Sequence, residues 1–324
     1  MGDSNKVYRS LSIPGKGIGM VAERNIKKGE MILEELPVLY FEYEEHLDTL
    51  YDYEAFSKFK SLPIKQKEAV MKLENSRPNV GKDFPCLSES FKKDKEFKKW
   101  SGIMVTNQAR LLDNSRGLFL TFSRFNHSCV PNVNYETTGS NIKLFAIHDI
   151  LKGDELCISY IRDPYTFELN FSKPPTLRNI HNYLKDEYGF ECKCELCCQK
   201  KKDQEEINGY RTKYMALYKA IDTCTILDGH EQLALLMDLF EAMEKGNVQS
   251  LDLISHYAIM GFNLTLMWEQ FTHSKYFIEK AYNAKLGLEG ENGPTVKYYL
   301  ELIKNPSMWR KHIDEYMKTC DIKE

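Results

Sequence analysis

Three cysteines at Cys-x-Cys-x2-Cys spacing, Cys192, Cys194 and Cys197, constrain this chain more than any other feature. Thiols so close together can converge on one metal ion, and a closed tetrahedral zinc site needs four ligands. A fourth ligand must therefore come from elsewhere, so the fold has to bring a distant segment against residues 192–197. Cys129 is the natural candidate, because it lies in the other unusual run, Asn126-His127-Ser128-Cys129-Val130-Pro131-Asn132. Cys198 adjoins Cys197 and could replace it. Adjacent residues seldom both face one metal, which favours Cys197. The other cysteines, Cys86, Cys157, Cys224 and Cys320, are scattered and read as ordinary buried or semi-buried thiols.

Metal is the better reading only where thiols stay reduced. The start, Met1 to Ser10, has no apolar stretch of the kind a secretory signal needs, and Lys6 stands where a myristoylation motif has Ser or Thr. No apolar run approaches the ~18 residues of a membrane span. The expectation is a soluble protein of the cytoplasm, the nucleus or both. A 42% apolar and 12% aromatic composition over 324 residues suits one large or two ordinary packed domains. A formal net charge of −3 provides no global basic field, so neither nucleic acid nor a membrane surface is an expected partner. Lys92, Lys93, Lys95, Lys98 and Lys99 alternate with Asp94 and Glu96, as on a solvated helix face.

Along the chain, residues 7–41 read as short strands joined by turns at Gly15 to Gly19 and at Lys27-Lys28-Gly29-Glu30. Residues 42–115 are charged and carry helical spacing, as at Tyr53, Phe56 and Phe59 and at Ala69, Val70 and Leu73, with breaks at Pro63, Pro78 and Pro85. Strand patterning returns at Gly117–Leu120, Asn132–Tyr135, Lys143–Ile147 and Glu155–Tyr160, with a second turn at Lys152-Gly153-Asp154. A Pro174-Pro175 break and a short helix lead to the cysteines. Residues 205–324 read as helix throughout, and stripes such as Leu233, Leu235, Leu236, Leu239 and Phe240 are packing faces. A tandem helical-hairpin array of TPR-like character suits them, although no clean repeat is present.

The glycine loop allows backbone to approach a ligand closely. No strand-then-helix context follows it, so a dinucleotide fold is not indicated. Asn126, His127 and Ser128 could hydrogen-bond a ligand. Tyr160, taken alone, is a packed strand aromatic.

Together these runs resemble the SET-domain methyltransferases, in particular the subgroup of SET- and MYND-domain proteins and its relatives that lack the MYND finger. The resemblance covers about residues 7–198. It rests on Gly15-Lys16-Gly17-Ile18-Gly19, on Ser123 to Asn132, on Gly153-Asp154-Glu155-Leu156-Cys157-Ile158-Ser159-Tyr160, and on Tyr188-Gly189-Phe190-Glu191-Cys192-Lys193-Cys194-Glu195-Leu196-Cys197. It implies a protein lysine methyltransferase using S-adenosylmethionine and a structural zinc. Lys16, Gly17, Ile18, Gly19, Phe125, Asn126 and His127 would contact the cofactor, Asn126 through its amino-acid portion. Tyr160 would be the active-site tyrosine, also facing the cofactor. Tyr188 and Phe190 would border the lysine channel, with Phe190 near the adenine. Cys129, Cys192, Cys194 and Cys197 would hold zinc.

The implied fold is α+β: a β-rich SET fold whose segment at Asn126 and strand reaching Tyr160 form a pseudoknot, followed by an all-α domain. Its pieces would be N-terminal strands (1–41), a helical insertion (42–115), C-terminal strands (116–165), a zinc-bearing post-SET segment (166–200) and C-terminal helices (201–324). Residues 42–100 hold only Cys86 and His46 as finger ligands, so no MYND finger is expected there. The expected partners are a lysine-bearing protein or peptide and a protein docked on the C-terminal helices. Two other readings are a SET-fold peptide-binding module without useful catalysis and a helical scaffold acting through residues 205–324.

Overall fold

The computed structural model describes residues 7–42, 53–78, 93–111, 114–161, 175–223 and 229–320. Strands β1 (Tyr8–Ile13) and β2 (Gly17–Ala22) form an antiparallel hairpin with Ile13 opposite Gly17. Gly15 and Gly17 hold φ of 73° and 76°, left-handed values that glycine adopts without a Cβ clash. The expected turn before β3 (Met31–Glu35) closes through the Glu30 amide, which donates to the Lys27 carbonyl at 3.0 Å. β4 (Leu39–Phe41) then leads into the helical insertion.

The insertion supplies α1 (Tyr53–Lys60), α2 (Ile64–Val70) and α3 (Lys95–Asn107). Phe56, Phe59, Phe97 and Trp100 bury themselves against Leu39, Phe41 and Leu118. Asp94 caps α3 by accepting from the Glu96 and Phe97 amides, and Lys93, Lys95, Glu96 and Lys99 are exposed, as the charge alternation predicts. Pro63 stands at the start of α2. His46, Pro85, Cys86, Lys92, Pro174 and Cys224 lie outside the described residues. After α3 come β5 (Gln108–Arg110) and β6 (Arg116–Leu118), which with β4 make a sheet of order β4-β6-β5.

β7 (Asn126–His127), β8 (Val133–Thr138), β9 (Asn141–Ala146) and β10 (Glu155–Ile158) complete the β portion. β8 and β9 join β3 in one sheet, and the other has the order β1-β2-β10-β7. β7 pairs with β10 in parallel, Asn126 beside Cys157 and His127 beside Ile158, so the two runs implied to form a pseudoknot lie side by side. Two strands are shorter than their patterning predicts. β6 stops at Leu118 instead of Leu120, and β10 stops at Ile158 instead of Tyr160. At the second end the Tyr160 amide leaves the ladder and donates to the imidazole of His127 at 3.0 Å.

α4 (Leu177–Tyr188) precedes the cysteines, and α5 (Lys201–Thr223), α6 (Gly229–Lys245), α7 (Leu251–Met267), α8 (Phe271–Glu289), α9 (Pro294–Lys304) and α10 (Trp309–Cys320) follow. Tyr214, Leu236, Leu239, Phe240, Phe262, Phe277 and Leu302 form their common core. This helical domain packs back on the sheets. At Gly290, just after α8, an added Cβ would lie 2.6 Å from Phe145, and Lys28 donates to Asn283 at 2.9 Å. No described helix is long and apolar enough to cross a membrane.

Candidate active site

Four segments separated in sequence line one open cleft of about 980 Å³. They are the glycine loop at Gly15 to Ile18, the run Phe122 to His127, the end of β10 through Tyr160, and Tyr188 to Lys193. Every residue singled out for cofactor or lysine contact lines this space except Gly19, which sits just behind it. Ile18 is 48% exposed at the rim, a large apolar side chain left open to solvent.

The floor is a chain of polar contacts. Lys16 Nζ lies 2.6 Å from Glu155 Oε2, and Asn126 Nδ2 donates to Glu155 Oε1 at 2.8 Å. Burial disfavours the Lys16 ammonium, but the Glu155 carboxylate outweighs it and holds the pKa above its ordinary value. Gly19 passes beneath this pair so closely that a Cβ would lie 2.7 Å from Asn126 Nδ2. Asn132 fastens the strand behind it, accepting from the Cys157 amide at 2.8 Å and donating to the Glu155 carbonyl at 2.9 Å.

The wall is aromatic. Tyr160 and Tyr188 have ring centroids 4.8 Å apart, and Phe190 meets Tyr160 edge-on at 6.2 Å. The Tyr160 hydroxyl donates to the Phe125 carbonyl at 3.0 Å. Burial pushes both phenols above the ordinary tyrosine range, so neither is a base near neutral pH. Gly189, at φ 73°, ends α4 in the left-handed conformation and turns the chain between Tyr188 and Phe190.

Behind the wall, the sulfurs of Cys129, Cys192, Cys194 and Cys197 all lie within 4.8 Å of one another. Tetrahedral zinc at about 2.3 Å from each thiolate would set them about 3.8 Å apart. Cys129 stands 3.9 Å from Cys192 and 3.5 Å from Cys197, so the donor set fits. Hydrogen bonding with Cys129 holds the Cys192 and Cys194 thiols below their usual range. Cys198 is exposed and spends its amide on the Cys194 carbonyl, which leaves Cys197 in the cluster. His127 joins the two halves of the site. Its Nδ1 accepts from the Tyr160 amide, so a neutral ring carries its proton on Nε2, 3.3 Å from the Cys129 sulfur.

Residues 17–161 match the family described as SET domain. The chain carries a SET domain. It is 25% identical over 310 residues to histone-lysine N-methyltransferase set5 of Schizosaccharomyces pombe, covering 93% of this chain and 85% of that protein. It is 27% identical over 143 residues to histone-lysine N-methyltransferase SMYD3 of Homo sapiens, covering 44% of this chain and 31% of the relative. A SET domain-containing protein of Dictyostelium discoideum is 39% identical over 85 residues, or 26% of this chain and 19% of that one. The chain thus spans most of the yeast relative and under a third of SMYD3.

Several residues that shape the SET domain's cleft had no role on sequence grounds. Glu155 lies in the run Gly153 to Tyr160, but nothing local marks it as the acceptor shared by Lys16 and Asn126. His181, on α4, places Nε2 2.8 Å from the Cys197 sulfur, as a second imidazole partner of the cluster. Arg77, from the helical insertion, ion-pairs with Glu187 and donates to its carbonyl at 3.3 Å, bracing α4 next to Tyr188. The Lys16–Glu155 and Arg77–Glu187 contacts span 139 and 110 positions, and even the 16 positions from His181 to Cys197 cross from α4 to the loop beyond it, outside the reach of a helix or strand spacing rule.

Proposed function

We propose that the chain is a protein lysine methyltransferase that uses S-adenosylmethionine. The observation that carries this reading is the convergence of the glycine loop, Asn126-His127, Tyr160 and the Tyr188–Phe190 wall on one cleft. The residues fit the cofactor: a loop with glycine at every second position, a carboxamide and an ammonium on the floor, and aromatic faces beside them. The bound cofactor supplies a methyl group on a positively charged sulfur.

The chain's own work is positioning. Methyl transfer to an amine is an in-line displacement, so alignment and electrostatics carry most of the catalysis. Free lysine has a pKa of about 10.4, and presenting it neutral at pH 7 costs roughly 4.6 kcal/mol at about 1.36 kcal/mol per unit. An apolar channel of Tyr160 and Tyr188 lowers that cost by disfavouring the ammonium. The Tyr160 hydroxyl, a persistent donor, aligns the reacting groups beside the Phe125 carbonyl. Zinc held by Cys129, Cys192, Cys194 and Cys197 has no open position for substrate, so its part is to order the wall. The acceptor is a lysine side chain of a protein or peptide, and the helical domain is a surface for a further protein partner. A soluble protein of cytoplasm or nucleus suits this chemistry.

The test is a calorimetric titration of the zinc-loaded protein with S-adenosylmethionine, repeated on Asn126→Ala, followed by transfer of labelled methyl to lysine-bearing proteins. Binding to the folded parent that weakens in the variant, with label on lysine, is expected. A folded parent that does not bind would refute the proposal and favour a peptide-binding module without catalysis.

A further inference from the structure

The helical domain reaches towards the thiol cluster through Arg211 on α5. Arg211 is only 4% exposed. Its Nε donates to the Gly246 carbonyl at 2.7 Å, Nη1 to Pro175 at 3.0 Å and Nη2 to Asn247 at 3.0 Å. All three acceptors are main-chain carbonyls, and no carboxylate among the described residues pairs with it. A guanidinium stays protonated in proteins, and a buried charge is costly without an opposite one nearby.

That opposite charge lies across a cavity of about 60 Å³, which Arg211 lines together with Cys129 and His127. Four thiolates around one zinc ion leave about two net negative charges. Burial draws the guanidinium pKa down, and Cys129, Cys197 and Cys194 act against that. Arg211 also has a mechanical connection. Pro175 precedes Thr176, the residue that caps α4. Asn208, three positions before Arg211 and on the same face of α5, accepts from the Leu177 amide at 2.7 Å. The pair holds the first turn of α4, and Tyr188 and Phe190 stand at its far end.

We infer that Arg211 is the buried counter-charge of the zinc–thiolate centre and a positioning residue that couples metal loading to the seating of α4 and the α6–α7 turn. The inference rests on the four-thiol zinc site and holds whatever reaction the cleft performs. Coupling of this kind is reciprocal, so the helical contacts retain the metal and the metal retains the helical contacts.

The experiment measures zinc transfer from the full-length, zinc-loaded protein to a chromophoric chelator in the parent, Arg211→Lys and Arg211→Met. Lysine keeps the charge, whereas methionine keeps only an apolar stem of similar reach. Arg211→Met should release zinc at least about tenfold faster, and Arg211→Lys within about threefold of the parent. Equal acceleration in both variants, or none in either, would overturn the counter-charge. Amide exchange on the parent protein tests the coupling without any variant. Chelation should strip protection from Gly246 to Ser250 and from the first turn of α4. Protection unchanged at those amides while residues 192–197 lose theirs would overturn the coupling.

Discussion

Replacing Gly19 with alanine tests the floor of the cleft most directly, because the usual effect of the change and its effect here have opposite signs. Gly19 lies in β2 opposite Leu11, with φ outside the left-handed region. Alanine at such a position ordinarily stabilises by about 0.4–1 kcal/mol through the unfolded chain's entropy. Here its Cβ would lie 2.7 Å from Asn126 Nδ2, 2.8 Å from Ile13 Cγ1 and 2.9 Å from Glu155 Oε1. The methyl group displaces Asn126 Nδ2 and Glu155 Oε1, the two ends of a 2.8 Å hydrogen bond, and the expectation is that this bond is lost. Overpacking costs about 1–3 kcal/mol. Losing a hydrogen bond to a charged group costs about 1.5–3 kcal/mol. After the entropy gain, the net expectation is a destabilisation of about 1.5–5.5 kcal/mol by denaturant unfolding. Displacing Asn126 should also raise the Kd for S-adenosylmethionine about 10- to 100-fold, read by calorimetry. In a cycle with Asn126→Ala the two costs should be less than additive, since the shorter side chain vacates the space. A Gly19→Ala protein as stable as the parent, with cofactor affinity within about twofold, would refute this account of the close approach.

Tyr160→Phe removes the donor to the Phe125 carbonyl and should lower kcat by about 100-fold or more while leaving cofactor affinity nearly intact; a near-parental rate would sink its aligning role. Because burial raises the Tyr160 and Tyr188 pKa values, both phenols stay protonated where unfolded tyrosines begin to ionise. Their contribution to stability is therefore complete below about pH 10 and declines as pH rises beyond it, and methyl transfer should show no loss from a phenol proton below that point. A pH–rate profile falling with an apparent pKa between 7 and 9 that vanishes in Tyr160→Phe would contradict this assignment. Complete removal of zinc should abolish methyl transfer and deprotect Tyr188 to Cys198 in amide exchange; full activity in metal-free protein would show that the wall orders itself without the ion.

Much of the site was readable from residue types and short spacings. The three thiols at 192, 194 and 197 require a fourth ligand wherever the chain places it, and the glycines at 15, 17, 29 and 153 mark turns that only positive φ allows. The helical insertion, the second β portion and the C-terminal helices follow from apolar periodicity, because strand and helix repeats are local properties of the backbone. The resemblance to SET domains added expected roles that periodicity does not carry, such as those proposed for Asn126 and Tyr160. What only the tertiary structure decided is which distant groups meet. Glu155 reaches Lys16 across 139 positions, Arg211 crosses to Pro175 and Gly246, His181 approaches Cys197, and Cys198 is turned out to solvent. Strand lengths belong to the same class, since β10 ends where His127, over thirty residues earlier, captures the Tyr160 amide. Spacing along a chain encodes only the geometry of one turn or one strand, whereas these contacts depend on how separately formed elements pack.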